Sequence, residues 1–138
     1  MIRLYSYFRS SSSYRVRIAL NLKNLEYKTS PIHLVKEGGE QFTDAFIQIN
    51  PASKIPVLQH DQHTITQSVA IIEYLEEVFK EPSLMPAIAT DRAHVRQLCE
   101  IINSDIQPLQ NLSVLKKIVT DHQFTDCLLY TSPSPRDL

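Results

Sequence analysis

Met1-Ile2-Arg3-Leu4-Tyr5-Ser6-Tyr7-Phe8-Arg9-Ser10-Ser11-Ser12-Ser13-Tyr14-Arg15-Val16-Arg17-Ile18-Ala19-Leu20-Asn21-Leu22-Lys23 is the stretch that decides the fold. Ile2, Leu4 and the run Tyr5 to Tyr7 read as a short strand. Arg9 to Ser13 is a polar turn. Tyr14 to Lys23 reads as a helix with Val16, Ala19 and Leu20 on one face and a serine cap ahead of it. Asn24 suits a left-handed helix stop in place of glycine.

Outward from that β-α start, Leu25, Tyr27 and Thr29, then Ile32 and Leu34, suit a second strand. Gly38-Gly39 makes a flexible loop; they are the only two glycines, where average usage gives about ten. Glu40 to Ile49 reads as a short helix ending before Asn50-Pro51. Lys54 to His60 and His63 to Thr66 read as strands joined by a tight Asp61-Gln62 hairpin. Ser68 to Phe79 carries Val69, Ile72, Leu75 and Val78 or Phe79 at helical spacing. The order β-α-β-α-β-β-α implies a mixed sheet with helices on its faces. Glu81-Pro82 to Pro86 reads as linker, and Thr90 begins a purely helical pattern of Val95, Leu98, Cys99, Ile102, Ile106 and Leu109. The division expected is an α/β domain over 1–81, a linker over 82–89 and the beginning of an all-α domain over 90–126. Cys99, on the apolar stripe, reads as a core residue.

Composition narrows the function. Of 138 residues, 43% are hydrophobic and 21% charged, which excludes a disordered chain. Fourteen basic and fifteen acidic side chains leave a net charge of -1, so no global field draws in nucleic acid or an anionic membrane. No run of 18 apolar residues spans a bilayer. The N-terminus has neither a secretory apolar block nor transit-peptide character, and the expectation is a soluble, cytoplasmic protein. Cys99 and Cys127 make no disulfide framework. His33, His60, His63, His94 and His122 are scattered without ligand spacing, so no metal site is expected. Lys116-Lys117 reads as a solvated helix face. The tail 127–138 has no period beyond its first four residues, and Pro133 and Pro135 bar a helix. It resembles the translation of a transposon-end adapter used in sequencing libraries. It is therefore expected to be non-native, with native sequence stopping mid-protein near Asp126.

Three features carry chemistry. Ser10 to Ser13 stand between the first strand and the first helix. By residue type they are a solvated loop with one cap. By location they face free backbone N–H groups and the positive end of a helix dipole, where serine can donate to an anion such as a thiolate. No cysteine occupies the loop, so any thiolate belongs to a ligand. Ile55-Pro56-Val57 sets a proline in a strand pattern, which points to an edge or to a special backbone such as a cis bond. Gln67-Ser68 opens the long helix, as a cap or as an anion site for a carboxylate.

Together these features resemble a family. Leu4 to Leu20 is similar to the start of zeta-class glutathione transferases, the maleylacetoacetate isomerases. Asn50-Pro51, Ile55-Pro56-Val57-Leu58 and Thr66-Gln67-Ser68-Val69-Ala70-Ile71-Ile72-Glu73-Tyr74-Leu75-Glu76-Glu77 continue the likeness. Ile106-Gln107-Pro108-Leu109-Gln110-Asn111-Leu112-Ser113-Val114-Leu115 is its most class-specific stretch. The resemblance runs from residue 2 to about 119 and implies a thioredoxin-like glutathione-binding domain, then a helical domain that shapes the substrate pocket. It implies that Ser10 and Ser11 are catalytic and face the glutathione sulfur. Ser12, Ser13, Tyr14 and Arg15 complete that loop. Gln41 reaches the glycyl end, Ile55 ahead of a cis Pro56 pairs with the cysteinyl moiety, and Gln67 and Ser68 hold the γ-glutamyl carboxylate and amine. Gln107, Asn111, Leu112 and Ser113 line the site from the helical domain. Two positions depart from the family: Ser12 where it often has cysteine, and Asp61-Gln62 where Asp-Gly is more usual.

The implied reaction is glutathione-dependent cis-trans isomerisation of maleylacetoacetate to fumarylacetoacetate, a step of tyrosine and phenylalanine catabolism. Holding a thiol of pKa ~8.5 about two units lower takes ~2.7 kcal/mol of preferential thiolate stabilisation, which a serine donor and a helix N-terminus can supply. The substrate is a diacid, so cations should meet it; Arg9 and Arg15 are the candidates, and an ordinary surface ion pair is the alternative for Arg15. A homodimer is expected at full length, and weak or no activity from a 138-residue chain. Transfer to α-halo acids is a close variant, and a non-catalytic binding module is the competing reading. A thiol-disulfide oxidoreductase is disfavoured because Ser10 to Ser13 replaces any Cys-x-x-Cys.

Overall fold

A computed structural model describes residues 1–122; the tail expected at 127–138 lies outside the described residues. The chain divides into one unit over Met1–Pro86 and a second from Ala87 onward. The first unit runs β1 (Ile2–Ser6), α1 (Ser11–Leu22), β2 (Tyr27–Pro31), α2 (Asp44–Ile47), β3 (Val57–His60), β4 (His63–Thr66) and α3 (Ser68–Val78), the expected βαβαββα order. The sheet order is β2-β1-β3-β4. β1 is parallel to β2, because α1 carries the chain back across the sheet, and antiparallel to β3. β3 and β4 form a hairpin closed by Asp61 and Gln62, and Asp61 takes φ 53 without a glycine.

Alternation along β1 sends Leu4 to one face and Tyr5 to the other. On the first face Leu4 and Leu58 pack with Val16 and Leu20 of α1 and Ile71 and Leu75 of α3, all 0% exposed. On the second, Tyr5, Phe46 and Val57 cluster with Ile32, Ile49 and Ile55. Each fully buried aliphatic side chain contributes ~1.5–3 kcal/mol of transfer free energy.

Local details correct the sequence reading. The helix expected from Tyr14 starts at Ser11, capped by Ser10. Serine is a poor interior helix residue but well suited to a first turn. β2 ends at Pro31, so Ile32 and Leu34 lie beyond it. Gly38 ends a short 3-10 turn, Lys36–Gly38, and Gly39 stands between it and a second, Glu40–Phe42. The helix expected over Glu40 to Ile49 contracts to α2, capped by Thr43. β3 lies between β1 and β4, so Pro56 marks no edge; it stands just ahead of the strand in a cis Ile55–Pro56 peptide. Asn24 does end α1 with φ 54.

At the C-terminal end of α1, Lys23 is buried with a side-chain exposure of 0%. Its ammonium meets Glu76 of α3 at 2.7 Å and donates to the carbonyls of Phe79 at 2.6 Å and Pro82 at 3.0 Å. Three donors therefore meet three acceptors, as a buried ammonium requires. Glu76 also accepts from Ser83 Oγ and from the Leu84 amide. Burial pushes the Glu76 carboxyl up, but those hydrogen bonds and the Lys23 charge outweigh it and hold the pKa at about 2. The same contacts draw residues 82–86, expected as linker, into the first unit.

The second unit contains α4 (Ala89–Glu100), a π-helical stretch Ile101–Ile106, a 3-10 turn Gln107–Gln110 and α5 (Leu112–His122). The irregular stretch precedes Pro108, which has no N–H to continue an α-helical ladder. No residue of α4 is buried, and Cys99 is exposed rather than in a core. Periodicity shows which residues share a face, not that anything covers it. Leu98 and Ile102 are 50% and 53% exposed.

Candidate functional site

Strand register gathers the candidate residues at one end of the sheet. Ser6 at the end of β1 lies beside Pro31 at the end of β2. Tyr5 lies opposite Val57, the first residue of β3, and Val57 lies opposite Thr66, the last of β4. The segments that follow β1 and β2, precede β3 and follow β4 therefore emerge together. They hold Arg9 to Ser13, Gln41, Ile55-Pro56 and Gln67-Ser68 respectively.

Ser10 is the N-cap of α1, and its Oγ accepts the Ser13 amide at 3.2 Å. Having accepted there, the hydroxyl keeps its proton for another acceptor. Ser13 is 0% exposed, and its Oγ has no hydrogen-bond partner among the described residues. Ser11 is exposed and Ser12 half-buried, both within the first helical turn. Arg9 is exposed. Tyr14 is exposed too, with the Arg17 guanidinium 5.1 Å from its ring centroid.

Arg15 Nη1 donates to Ser68 Oγ at 3.0 Å, so it is not merely the surface ion pair its sequence position allows. Ser68 is buried and opens α3, while Gln67 ahead of it is exposed and takes φ 71, a rare conformation for a side chain of that size. This hydrogen bond ties the second turn of α1 to the N-terminus of α3.

Gln41 is 6% exposed; its Nε2 donates to the Leu34 carbonyl at 3.4 Å, while Oε1 is buried with no partner among the described residues. Gly39, at φ 112, lies so close that an added Cβ would stand 2.5 Å from Gln41 Nε2. The turn ahead of Pro56 is shaped by Asn50, whose Nδ2 donates to the Lys54 carbonyl at 2.7 Å and whose Oδ1 accepts the Ala52 amide at 3.2 Å. Ile55 is half-buried against the Tyr5-Phe46-Val57 cluster, and Pro56 is buried.

Gln107, Asn111, Leu112 and Ser113 belong to the second unit. Gln107 lies in the 3-10 turn, Asn111 ends it, and Leu112 and Ser113 begin α5. Sequence reasoning did not find the Arg15–Ser68 bond or the Lys23–Glu76 pair. Lys23 is the C-cap of α1, an end where a cation is favoured, but its partner lies 53 residues away.

Such an arrangement can hold an extended anionic ligand: two helix N-termini, two serine hydroxyls with protons to give, and a buried amide with a free acceptor. Residues 1–77 match the family model described as glutathione S-transferase, N-terminal domain. Maleylacetoacetate isomerase of Mus musculus is 54% identical over 120 residues, which are 87% of this chain and 56% of the mouse protein. A solved holo structure of maleyl pyruvate isomerase, a bacterial zeta-class glutathione S-transferase, superposes with a TM-score of 0.88 at 39% identity, covering 92% of this chain and 59% of that one. Maleylacetoacetate isomerase from Anaeromyxobacter dehalogenans, solved with glutathione in its active site, gives a TM-score of 0.74 at 45% identity over 87% of this chain and 56% of that one. The chain spans about half the length of the curated relatives it matches.

Proposed function

The chain belongs to the glutathione S-transferase family, and from that premise we propose that it is part of a glutathione-dependent isomerase that converts maleylacetoacetate to fumarylacetoacetate. The observation that carries the reading is the gathering of Ser10, Gln41, Ile55-Pro56 and Gln67-Ser68 at one end of the sheet. The polar groups there fit glutathione: Gln41 Oε1 and Ser13 Oγ are buried without partners among the described residues, and the serines face helix N-termini.

Glutathione held there would supply a nucleophilic thiolate, whose reversible addition would make the cis double bond transiently single. Ser10, whose Oγ already accepts the Ser13 amide, donates its O–H as a hydrogen bond to the sulfur. The N-terminus of α1 adds its partial positive charge, and both favour the anion. Ser11, Ser12, Tyr14 and Arg15 complete the turn around it. Arg15 is donor only, so its bond fixes Ser68 Oγ as acceptor and turns the serine proton outward to the γ-glutamyl carboxylate. Gln67 holds the adjacent amine, Gln41 the glycyl end, and the Ile55 backbone the cysteinyl amide. Arg9 and Arg15 bring positive charge toward the diacid substrate.

The diacid substrate, a homodimer at full length, a cytoplasmic location and a role in tyrosine and phenylalanine catabolism belong to the same proposal. Among the described residues no helix is long and apolar enough to cross a membrane. A protein of the relatives' full length that carries this sequence should be retained on immobilised glutathione. It should turn over maleylacetoacetate only when glutathione is present. Failure of retention, or turnover indifferent to glutathione, sinks the reading.

A further inference from the structure

Beside β2 lies a cavity of about 380 Å³ whose wall includes none of Ser10, Gln41, Ile55, Gln67 or Ser68. Tyr7, Phe8 and His33 give it rings, Pro31 and Ile32 give it aliphatic surface, and Arg17, Lys36 and Glu40 give it charge. The Tyr7 ring lies 4.7 Å from that of Phe8 and 5.0 Å from that of His33, both edge-on. Volume and lining suit a molecule of one ring.

The charges are unequally satisfied. Glu40 is engaged, its carboxylate accepting the His33 amide at 2.6 Å. Lys36 stands 3.7 Å from Glu37, 65% exposed. Half-buried Arg17 spends Nη2 on the Phe8 carbonyl at 3.3 Å and stacks on Tyr14, but its Nε is buried without a partner. Among the described residues no carboxylate lies within ion-pair distance of it. A half-buried guanidinium without a counter-charge favours an incoming anion. His33 adds a donor: Nδ1 accepts the amides of Lys36 at 2.9 Å and Val35 at 3.3 Å, so the ring proton is on Nε2.

We propose that this cavity, which opens at the same end of the sheet but shares no lining residue with the Ser10, Gln41, Pro56 and Ser68 set, is a second small-molecule site, and that it takes a small aromatic carboxylate, with the ring against Tyr7 and Phe8 and the carboxylate on Arg17. The inference does not depend on the isomerase reading. Benzoate titrated into the 138-residue chain, followed by saturation-transfer NMR, tests it, with benzyl alcohol as the uncharged comparison. The expected result is saturable benzoate binding with a Kd on the order of 1 mM, about what so few atoms support. Benzyl alcohol should bind at least about tenfold more weakly. Arg17→Met should lose about tenfold and Lys36→Ala about threefold, while Ser68→Ala should leave benzoate binding unchanged. Lys36 is exposed, so its variant keeps the test valid should Arg17→Met not fold. The proposal is overturned by the absence of saturable binding, by equal affinity for the alcohol, by a Lys36→Ala chain that binds as tightly as the parent, or by loss of binding in Ser68→Ala.

Discussion

Arg15 and Ser68 are 53 residues apart in sequence and joined by a 3.0 Å hydrogen bond, which fixes the second turn of α1 against the first turn of α3. Removing it should loosen the end of the sheet that we assign to glutathione without opening the core. Arg15→Met should weaken glutathione binding by about 10- to 100-fold, the range for a lost charge-assisted hydrogen bond. Calorimetric titration reads the affinity, and a melting curve within a few degrees of the parent confirms that the fold persists. Arg15→Lys should recover part of the loss. Unchanged affinity in Arg15→Met would remove the arginine from the binding machinery.

Ser10 caps α1, and we propose that it also donates to the glutathione sulfur; one substitution probes both. Ser10→Ala removes the cap on Ser13 and should cost about 1 kcal/mol of stability. It should also raise the pKa of bound glutathione, seen as a loss of thiolate absorbance near neutral pH, and slow turnover at least about tenfold. A variant that melts lower yet keeps its thiolate signal would leave Ser10 a cap and nothing more.

Gly38 and Gly39 are neighbours with different duties. Both have positive φ, 85 and 112, so alanine at either is strained. Only at Gly39 would the new Cβ run into Gln41, since nothing lies within 4 Å of the one at Gly38. Gly39→Ala should therefore lose more glutathione affinity than Gly38→Ala for a similar fall in melting temperature. Equal affinities would detach Gln41 from the ligand.

Glu76 sets an acid limit on stability. Its folded pKa of about 2 lies below the ordinary 4.5, so its contribution is fully present above 4.5 and is lost as pH falls toward 2. The shift is equivalent to at most about 3 kcal/mol, reduced where water reaches the carboxylate. Glu76→Gln should flatten the fall in denaturation midpoint between those limits. Lys23→Met, which strands the carboxylate, should cost about 3–5 kcal/mol at neutral pH. An unaltered acid profile in Glu76→Gln would refute the assignment.

Much of this architecture is legible in local pattern. The Asp61-Gln62 hairpin, the Asn24 stop and the Leu75 face of α3 all follow from short-range chemistry, and so does the βαβαββα order. The serine cluster could be seen to supply a helix cap because a strand precedes it and a helical pattern follows. What stayed hidden depends on partners distant in sequence. No spacing announces that Arg15 reaches Ser68, or that Lys23, which looks like an exposed helix end, is sealed under Phe79 and Pro82. Cys99 shows the converse error, a periodic apolar stripe whose burial rested on elements the pattern does not contain.

The register that collects Ser10, Gln41, Pro56 and Ser68 at one end of the sheet leaves the other end to Lys23, Asn24 and the Asp61 hairpin, where the amino terminus pairs with Asp61. Each helix of the first face thus presents one end that we assign to glutathione and one anchoring end. An engineer who wishes to harden this domain can work at the Lys23–Asp61 end and leave ligand recognition as it stands. One who wishes to redirect the ligand can rewrite the other end and draw on stability kept in reserve some three helical turns away.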